Sequence, residues 1–207
     1  LARTASGEVL AVEQAAADVT TVRCRLDRSW RGHRPGQFAF VTFDAGEGAH
    51  PFTIASADHG DGVVAFEIKA LGDYTRALGS RLRVGQPVQV EGPYGCFDIE
   101  RRDPQARQVW IAGGIGVTPF LAWLESLQAD PARAPSADLH YCTRDRESDA
   151  FVPRLEALCA TLPGIRRVVY PTHPSHPDHN RALALLGRRG GHMLSFELEG
   201  GRAAANA

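Results

Sequence analysis

A glycine-rich segment near the middle of the chain sets the strongest constraint on its fold. The short apolar run Gln108–Ala112 predicts a β-strand, and it is followed at once by Gly113-Gly114-Ile115-Gly116-Val117-Thr118-Pro119. Apolar residues then recur at the three- and four-residue spacing of an amphipathic helix, at Phe120, Leu121, Leu124 and Leu127. Thr118 suits the N-cap of that helix and Pro119 its first position. This strand–turn–helix pattern predicts an α/β domain.

The same segment is a candidate site for the pyrophosphate of a dinucleotide. Amide groups at a helix N-terminus lack partners within the helix, and the helix dipole favours a negative charge there. The order of residues is G-G-x-G-x-T-P rather than the more usual G-x-G-x-x-G. Taken alone, the glycines leave open a tight turn that holds no ligand.

The pattern of predicted secondary structure changes at about residue 102. Before that point, short runs rich in β-branched and aromatic residues alternate with turn clusters, which predicts an antiparallel sandwich or barrel. The predicted strands are Glu8–Val12, Thr20–Leu26, Phe38–Phe43, Val63–Lys69 and Pro87–Glu91. One helix is predicted among them, over Tyr74–Leu82. We therefore predict a β-barrel domain over residues 1–102.

From residue 103 onward, strands and helices alternate. After the first strand and helix come a predicted strand at Asp138–Cys142, a helix at Phe151–Thr161 and a strand at Arg166–Tyr170. Such alternation is typical of a parallel sheet covered by helices. The predicted architecture is therefore an antiparallel barrel, followed over residues 103–207 by a parallel-sheet, nucleotide-binding α/β domain.

Composition excludes several classes of partner. The net charge of −1 gives no electrostatic case for nucleic acid, and no apolar run is long enough to cross a bilayer. The four cysteines are far apart, which predicts thiols that are mostly buried rather than a metal or disulfide framework. His173, His176 and His179 lie in a proline-rich stretch that predicts an exposed loop, with adventitious metal binding as the alternative. We predict no metal site.

Several segments resemble the ferredoxin–NADP reductase superfamily. The glycine-rich turn is similar to its pyrophosphate-binding segment. His50-Pro51-Phe52-Thr53-Ile54-Ala55-Ser56 looks like the flavin motif of its NADPH oxidase and ferric reductase branch, whereas most other branches have Arg and Tyr where His50 and Phe52 stand. Similar segments follow in the order of the family, at Ile68-Lys69, Gly72-Asp73-Tyr74-Thr75, Gly92-Pro93-Tyr94-Gly95 and Tyr141-Cys142-Thr143-Arg144. The resemblance covers about half of the chain, over residues 35–150.

The resemblance implies two cofactors, FAD and NADPH, with NADH as the alternative to NADPH. Phe52 would stack on the isoalloxazine, although a plain core aromatic is the alternative, and the Thr53 hydroxyl would donate to flavin N5 and act in catalysis. His50 would either touch a flavin phosphate or close the turn before Pro51. The other residues implied to bind cofactor are Pro51, Ile68, Lys69, Gly72, Thr75, Gly113, Gly114, Gly116, Val117, Thr118 and Pro119.

Arg144 follows the second strand of the α/β domain, where the resemblance places a residue that reads the adenosine 2′-phosphate. A guanidinium matches a dianionic phosphate, so Arg144 favours NADPH over NADH. Arg146 stands beside it, but Asp145 and Glu147 alternate with the two arginines. In the family a Cys-Gly-Pro segment and a final aromatic strand follow. Neither is visible after Tyr170, so the C-terminal part is atypical or truncated.

These features together predict a flavin-dependent dehydrogenase. It would pass hydride from NADPH to FAD and then single electrons to the heme of a fused or partner membrane domain, for reduction of oxygen or ferric iron. Such a chain would be cytoplasmic, or the cytoplasmic domain of an inner-membrane protein, and its start at Leu1 suits a piece of a longer chain. The alternatives are a soluble flavin reductase that serves ferredoxin, flavodoxin or ferric chelates, and a non-catalytic module that binds FAD or nucleotide.

Overall fold

The computed structural model describes residues 3–99, 103, 105–173, 177, 180, 184, 193–199 and 202–206, the last two ranges by their backbone only. The described chain divides into two compact units. The first unit comprises Leu1–Ile99 and Thr118–Ser126, and the second comprises Glu100–Val117 and Leu127–Ala207. Most of the helix that follows the glycine-rich turn is therefore grouped with the N-terminal residues.

The first unit is built on a six-stranded antiparallel sheet in the order β4-β3-β6-β1-β2-β5. Its strands are β1 (Arg3–Ala16), β2 (Val19–Leu26), β3 (Phe38–Thr42), β4 (His50–Thr53), β5 (Val63–Lys69) and β6 (Pro87–Tyr94). An isolated bridge between Ile54 and Phe66 brings the two ends of this order together, since Ile54 follows β4 and Phe66 lies in β5. The antiparallel barrel expected from the sequence is thus confirmed as a six-stranded antiparallel sheet whose two end segments are linked by one bridge rather than closed by a ladder.

Alternating side chains of the sheet fill the core of the first unit. Val9, Val22, Val41, Phe66 and Val90 are each fully buried. Burying side chains of this size contributes about 1.5–3 kcal/mol each to folding, less the entropy of ordering them. Helix α1 (Asp73–Arg81) adds Leu78 to the same core.

The second unit contains a five-stranded sheet in the order β11-β10-β7-β8-β9. Strands β7 (Arg107–Gly113), β8 (Ala137–Thr143) and β9 (Ile165–Pro171) are parallel, as the sequence predicts. Helix α2 (Thr118–Ala129) connects β7 to β8, and helix α3 (Val152–Ala160) connects β8 to β9. Among the described residues no helix is both long and apolar enough to span a membrane.

Two further strands were not predicted. Strand β10 (Met193–Glu199) pairs antiparallel with β7, and β11 (Arg202–Asn206) pairs antiparallel with β10. The sequence does carry a signal for β10, because apolar Leu194, Phe196 and Leu198 alternate there with polar residues. Of the three histidines considered above, His176 and His179 lie outside the described residues.

Three of the four cysteines agree with the expectation of shielded thiols. Cys24 and Cys142 are buried and Cys159 is half-buried, whereas Cys96 is exposed, and all four are unbridged. Burial raises the pKa of the Cys24 thiol to about 12, so this group remains a protonated core side chain.

Asp138 links the N-terminal ends of the three parallel strands through hydrogen bonds to two arginines. Its carboxylate accepts a hydrogen bond from Arg166 at 2.7 Å and another from Arg107 at 3.0 Å. The hydrogen bond from Arg166 contributes most to lowering the pKa of Asp138 from 3.8 to about 2.

We expect Asp138→Asn to destabilise the protein at neutral pH by about 1 kcal/mol, because the two arginines are largely exposed and solvent screens their charge. The pKa of this carboxyl is lower in the folded chain than in the unfolded chain, so its stabilising effect is present above about pH 4 and is lost as the pH falls toward 2. Urea unfolding of both proteins at pH 7, 4 and 2.5 measures this. A difference that stays constant across this range would rule out the charge as its cause.

Candidate functional site

The residues of the predicted flavin motif in strand β4 are divided between the two faces of the sheet. In its pairing with β3, His50 lies opposite Val41 and Phe52 opposite Ala39, and both of these partners are fully buried. Directly paired residues share a face of the sheet, so His50 and Phe52 belong to the core-facing side. Thr53 follows Phe52 and therefore belongs to the opposite face.

His50 begins β4 and stacks on Tyr74 of helix α1. The two rings are nearly parallel, at 13°, with their centroids 4.0 Å apart. His50 is thus a strand residue that packs on α1, and it does not close a turn before Pro51. Both rings are half-buried, and within the described part of the chain both His50 Nε2 and the Tyr74 hydroxyl are buried without a hydrogen-bond partner. Burial, followed by the nearby carboxylates of Glu47 and Asp44, raises the pKa of Tyr74.

Phe52 is half-buried and packs against the core of the first unit. Its ring centroid lies 6.3 Å from that of Phe66 and 6.5 Å from that of Phe43, both in tilted contacts. Part of the Phe52 ring therefore packs in the core, as the alternative interpretation of this residue expects. Its stacking on the isoalloxazine stays a prediction.

Thr53 shares its face of the sheet with aromatic residues that the sequence analysis did not single out as a group. Thr53 pairs with Phe38, whose ring centroid lies 5.8 Å from that of Phe40 and 5.7 Å from that of Tyr94. All three aromatic side chains are half-buried. Pro51, on the same face, is exposed. The predicted donor to flavin N5 thus stands beside a partly exposed aromatic surface.

The segment that follows Thr53 is held by bonds from distant parts of the first unit. The Ala57 amide donates to the Glu125 carboxylate of α2 at 3.0 Å. His33 Nε2 lies 2.9 Å from the carbonyl oxygen of Ser56 and donates to it, because a carbonyl oxygen can only accept. Burial lowers the pKa of this imidazole. Glu125 and His33 were not identified from the sequence, because partners this far apart leave no local signal.

Helix α1 begins beside the predicted position of the FAD diphosphate. Gly72 is its N-cap, and the Thr75 hydroxyl accepts hydrogen bonds from the amides of Leu71 and Gly72, each at 3.0 Å. Thr75 and Gly72 are therefore engaged with each other. The amides of Asp73 and Tyr74 are the donors that a helix cannot satisfy within its own first turn. A Cβ at Gly72 would meet no atom within 4 Å, so the backbone there is open to a ligand.

The two implied residues of β5 are placed differently. Ile68 is buried in the core, so only its backbone is available to a cofactor. Lys69, at the end of the strand, forms an ion pair with Asp18 at 3.4 Å. The contacts of Ile68 and Lys69 with the cofactor stay predictions.

The glycine-rich segment connects β7 to α2 through a 3-10 turn over Gly114–Val117. Gly114 has φ of +50°, a region that glycine adopts readily. The predicted N-cap was wrong by one residue: Val117 is the N-cap, and Thr118 and Pro119 are the first helical positions, because the 3-10 turn runs directly into the helix. Val117 and Thr118 are buried, so they would offer a ligand backbone groups rather than side chains.

Arg144 lies just past β8 and is exposed. Within the part of the chain that the structure describes it forms no ion pair, whereas Arg146 pairs with Glu156 at 3.1 Å. The loop is shaped by Asp145, which accepts from Ser148, and by Asp149, which accepts from the Tyr141 hydroxyl at 2.9 Å. Asp145 is thus committed to its own loop, and the role of Arg144 in binding a phosphate stays a prediction.

FAD fits the residues of the first unit on two observations. The open backbone at Gly72 lies at the N-terminus of a helix, where an anionic group is favoured. Beside it are two buried polar atoms, His50 Nε2 and the Tyr74 hydroxyl, to which no residue that the structure describes hydrogen-bonds. Buried polar groups are normally paired, so unpaired ones indicate a place for a polar ligand.

Comparison with known proteins agrees with this site. Residues 5–98 match the family described as FAD-binding domain. The reductase component of the naphthalene 1,2-dioxygenase/salicylate 5-hydroxylase systems of Ralstonia sp. is 30% identical over 196 residues, which are 90% of this chain and 57% of that protein. The reductase component of propane 2-monooxygenase of Mycolicibacterium goodii is 31% identical over 147 residues, 65% of this chain and 42% of that protein.

Solved structures share the fold. The cytochrome P450 reductase GcoB of Amycolatopsis superposes with a TM-score of 0.72 at 21% identity, over 86% of this chain and 54% of that one. A ferredoxin NADP+ reductase of Neisseria gonorrhoeae with bound FAD and NADP has a TM-score of 0.69 at 22% identity, over 86% of this chain and 72% of that one. The chain spans about half the length of the curated relatives described above.

Proposed function

We propose that the chain is a member of the ferredoxin–NADP reductase superfamily and an FAD-dependent NAD(P)H oxidoreductase that passes single electrons to an acceptor. One observation supports this most directly. The FAD-binding family match over residues 5–98 is followed by a parallel strand that ends in a glycine turn and opens a helix. A flavin site and a dinucleotide site in this order are what an NAD(P)H–flavin oxidoreductase requires.

Bound FAD supplies the redox chemistry, since it accepts a hydride and can give up its electrons one at a time. The protein would bind the two cofactors and hold them in position for hydride transfer. His50 and the first turn of α1 would hold the polar chain of FAD, and Thr53 would donate its hydroxyl proton toward flavin N5. Gly114 and the first amides of α2 would hold the dinucleotide pyrophosphate. No side chain needs to act as an acid or base during hydride transfer, so binding motifs rather than a carboxylate pair are expected.

We propose NADPH as the preferred hydride donor. The ground for this preference is Arg144, the residue that follows β8. Arg144 is exposed and forms no ion pair among the described residues, whereas Arg146 is committed to Glu156. A guanidinium of this kind recognises a phosphate group by charge and by paired hydrogen bonds. NADH remains the alternative donor, and comparing the two is part of the experiment below.

The acceptor we propose first is the heme of a fused or partner membrane domain, with this chain on the cytoplasmic side. Its support is the motif His50-Pro51-Phe52-Thr53, which resembles the NADPH oxidase and ferric reductase branch. A second candidate is the oxygenase component of a multicomponent system, because the relatives named above are reductase components of oxygenase systems. Stopped-flow oxidation of the reduced protein by a heme protein and by an iron–sulfur ferredoxin would separate these acceptors.

An anaerobic visible spectrum of the purified chain with FAD, before and after NADPH and then NADH, tests the function. We expect the flavin band to bleach, and to bleach faster with NADPH. A bound flavin that neither donor bleaches would favour a non-catalytic FAD- or nucleotide-binding module. A chain that binds no flavin would refute the proposal.

Thr53→Ala is expected to retain FAD while its reduction by NADPH slows about tenfold, the effect of losing one hydrogen bond in the transition state. Rapid mixing under anaerobic conditions measures the rate. Thr53→Ser, which keeps the hydroxyl, is the matched control and should reduce at close to the wild-type rate. If Thr53→Ala is reduced as fast as the wild type, Thr53 has no part in the reaction.

A further inference from the structure

The hydroxyl of Tyr74 is placed where the unliganded protein gains nothing from it. Tyr74 is the second residue of α1, and its ring stacks on His50 with centroids 4.0 Å apart. The stack needs only the ring, which a phenylalanine would provide. The hydroxyl is nevertheless buried without a hydrogen-bond partner among the described residues, and so is the neighbouring His50 Nε2. Unpaired buried polar groups reduce the stability of a fold.

The position of these two atoms indicates the kind of ligand that would pair with them. They lie beside the first turn of α1, where the amides of Asp73 and Tyr74 have no acceptor within the helix and the dipole favours an anion. Two acidic side chains of this region are paired with arginines, whereas Asp44 accepts from the Gly46 amide. Asp73 lies 3.4 Å from Arg76, and Glu47 lies 3.8 Å from Arg81. Their charges therefore oppose an anion less than isolated carboxylates would.

The hydroxyl of Thr75, which the sequence places in this role, is already in use. It accepts from the amides of Leu71 and Gly72 and donates to the Gly72 carbonyl at 3.1 Å. A hydroxyl engaged in three bonds within its own turn is a poor donor to a ligand. The side-chain donor at this end of α1 is therefore the phenol of Tyr74.

We propose that the Tyr74 hydroxyl, together with His50 Nε2, hydrogen-bonds to the diphosphate of FAD. This inference rests on the proposed function, since it requires that the first unit bind FAD. Both side chains are half-buried, so each reaches the surface of the first unit, where a ligand can approach. Burial and the carboxylates of Glu47 and Asp44 raise the pKa of Tyr74, so its phenol keeps the proton that it donates at neutral pH.

Tyr74→Phe tests this, because it removes the oxygen atom and keeps the ring. We expect the variant to bind FAD about tenfold more weakly, which corresponds to one hydrogen bond to a charged group. Without FAD, we expect its Tm to rise by about 2–4 °C, since an unpaired buried hydroxyl has been removed. The ³¹P resonances of the bound FAD diphosphate should also shift between the wild type and the variant, which a purely structural role would not cause.

Tyr141→Phe is the matched control. The Tyr141 hydroxyl is buried too, but it donates to Asp149 at 2.9 Å. Its removal should therefore lower the Tm of the FAD-free protein and leave FAD affinity unchanged.

Three results would overturn the inference while FAD binding to the wild type stands: an unchanged FAD affinity in Tyr74→Phe, unchanged ³¹P resonances, or a lower Tm without FAD. A wild-type chain that binds no FAD would instead refute the proposed function itself.

Discussion

Gly36→Ala is expected to lower the free energy of unfolding by about 3–4 kcal/mol, a large share of the stability of an ordinary domain. Gly36 has φ of +98°, a conformation that L-residues with a side chain rarely adopt. A Cβ there would lie 1.8 Å from the carbonyl oxygen of Phe97 and 2.6 Å from Trp123 Nε1. Neither neighbour can yield easily, because one is backbone and the other donates to the Pro35 carbonyl at 2.9 Å.

Gly85→Ala separates the two contributions to this effect. Gly85 also has a positive φ, +81°, but a Cβ there would meet no atom within 4 Å. Backbone strain alone should then cost about 1 kcal/mol. Urea unfolding followed by tryptophan fluorescence measures both variants. Equal losses of stability in the two would mean that the close approach of Gly36 to Phe97 and Trp123 contributes nothing.

Gly114→Val is expected to weaken NADPH binding at least about tenfold while FAD stays bound. Gly114 opens the 3-10 turn after β7 with φ of +50°, and its lack of a side chain lets the backbone approach a pyrophosphate. A β-branched side chain would both obstruct that approach and strain the turn. Calorimetric titration of the FAD-loaded protein with NADP+ measures the affinity.

Gly85→Val is the control for the strain of a branched residue at positive φ, and it should bind NADP+ like the wild type. Gly114→Ala adds a smaller side chain and should give an intermediate affinity. If Gly114→Val binds NADP+ as tightly as the wild type, the glycine turn does not hold the pyrophosphate, and the assignment of the nucleotide site must be abandoned.

Local patterns predicted the regular elements of this chain well. The predicted strand over Val63–Lys69 has the observed bounds, and the helix predicted over Tyr74–Leu82 is observed over Asp73–Arg81. Strand β4 was not predicted, because it is only four residues long and contains Pro51, which is tolerated at the edge position that β4 occupies. Hydrophobic periodicity therefore predicted the longer elements, in which buried residues recur at regular spacing. It did not predict β4, the short strand that carries the flavin motif.

The parts of the site that depend on distant contacts could not be predicted. The carboxylate of Glu125 reaches the Ala57 amide, and the imidazole of His33 reaches the Ser56 carbonyl, across 68 and 23 positions of sequence. The opposite faces of Phe52 and Thr53 follow from strand pairing, which the motif alone does not contain. The roles given to the motif residues remain predictions for the experiments above.

Thr118–Ser126 are grouped with the N-terminal residues. This grouping determines which segment of the chain could be transferred to another protein as a flavin-binding unit. A fragment ending at residue 102 would lose the Trp123 ring that stacks on Phe97 at 4.7 Å and the Glu125 carboxylate that receives the Ala57 amide. Such a fragment is expected to be prone to proteolysis and aggregation. Recombination at a single crossover near residue 102 would move the strands but not the helix that completes them, so a portable flavin carrier has to extend to Ser126 and take the glycine-rich turn with it.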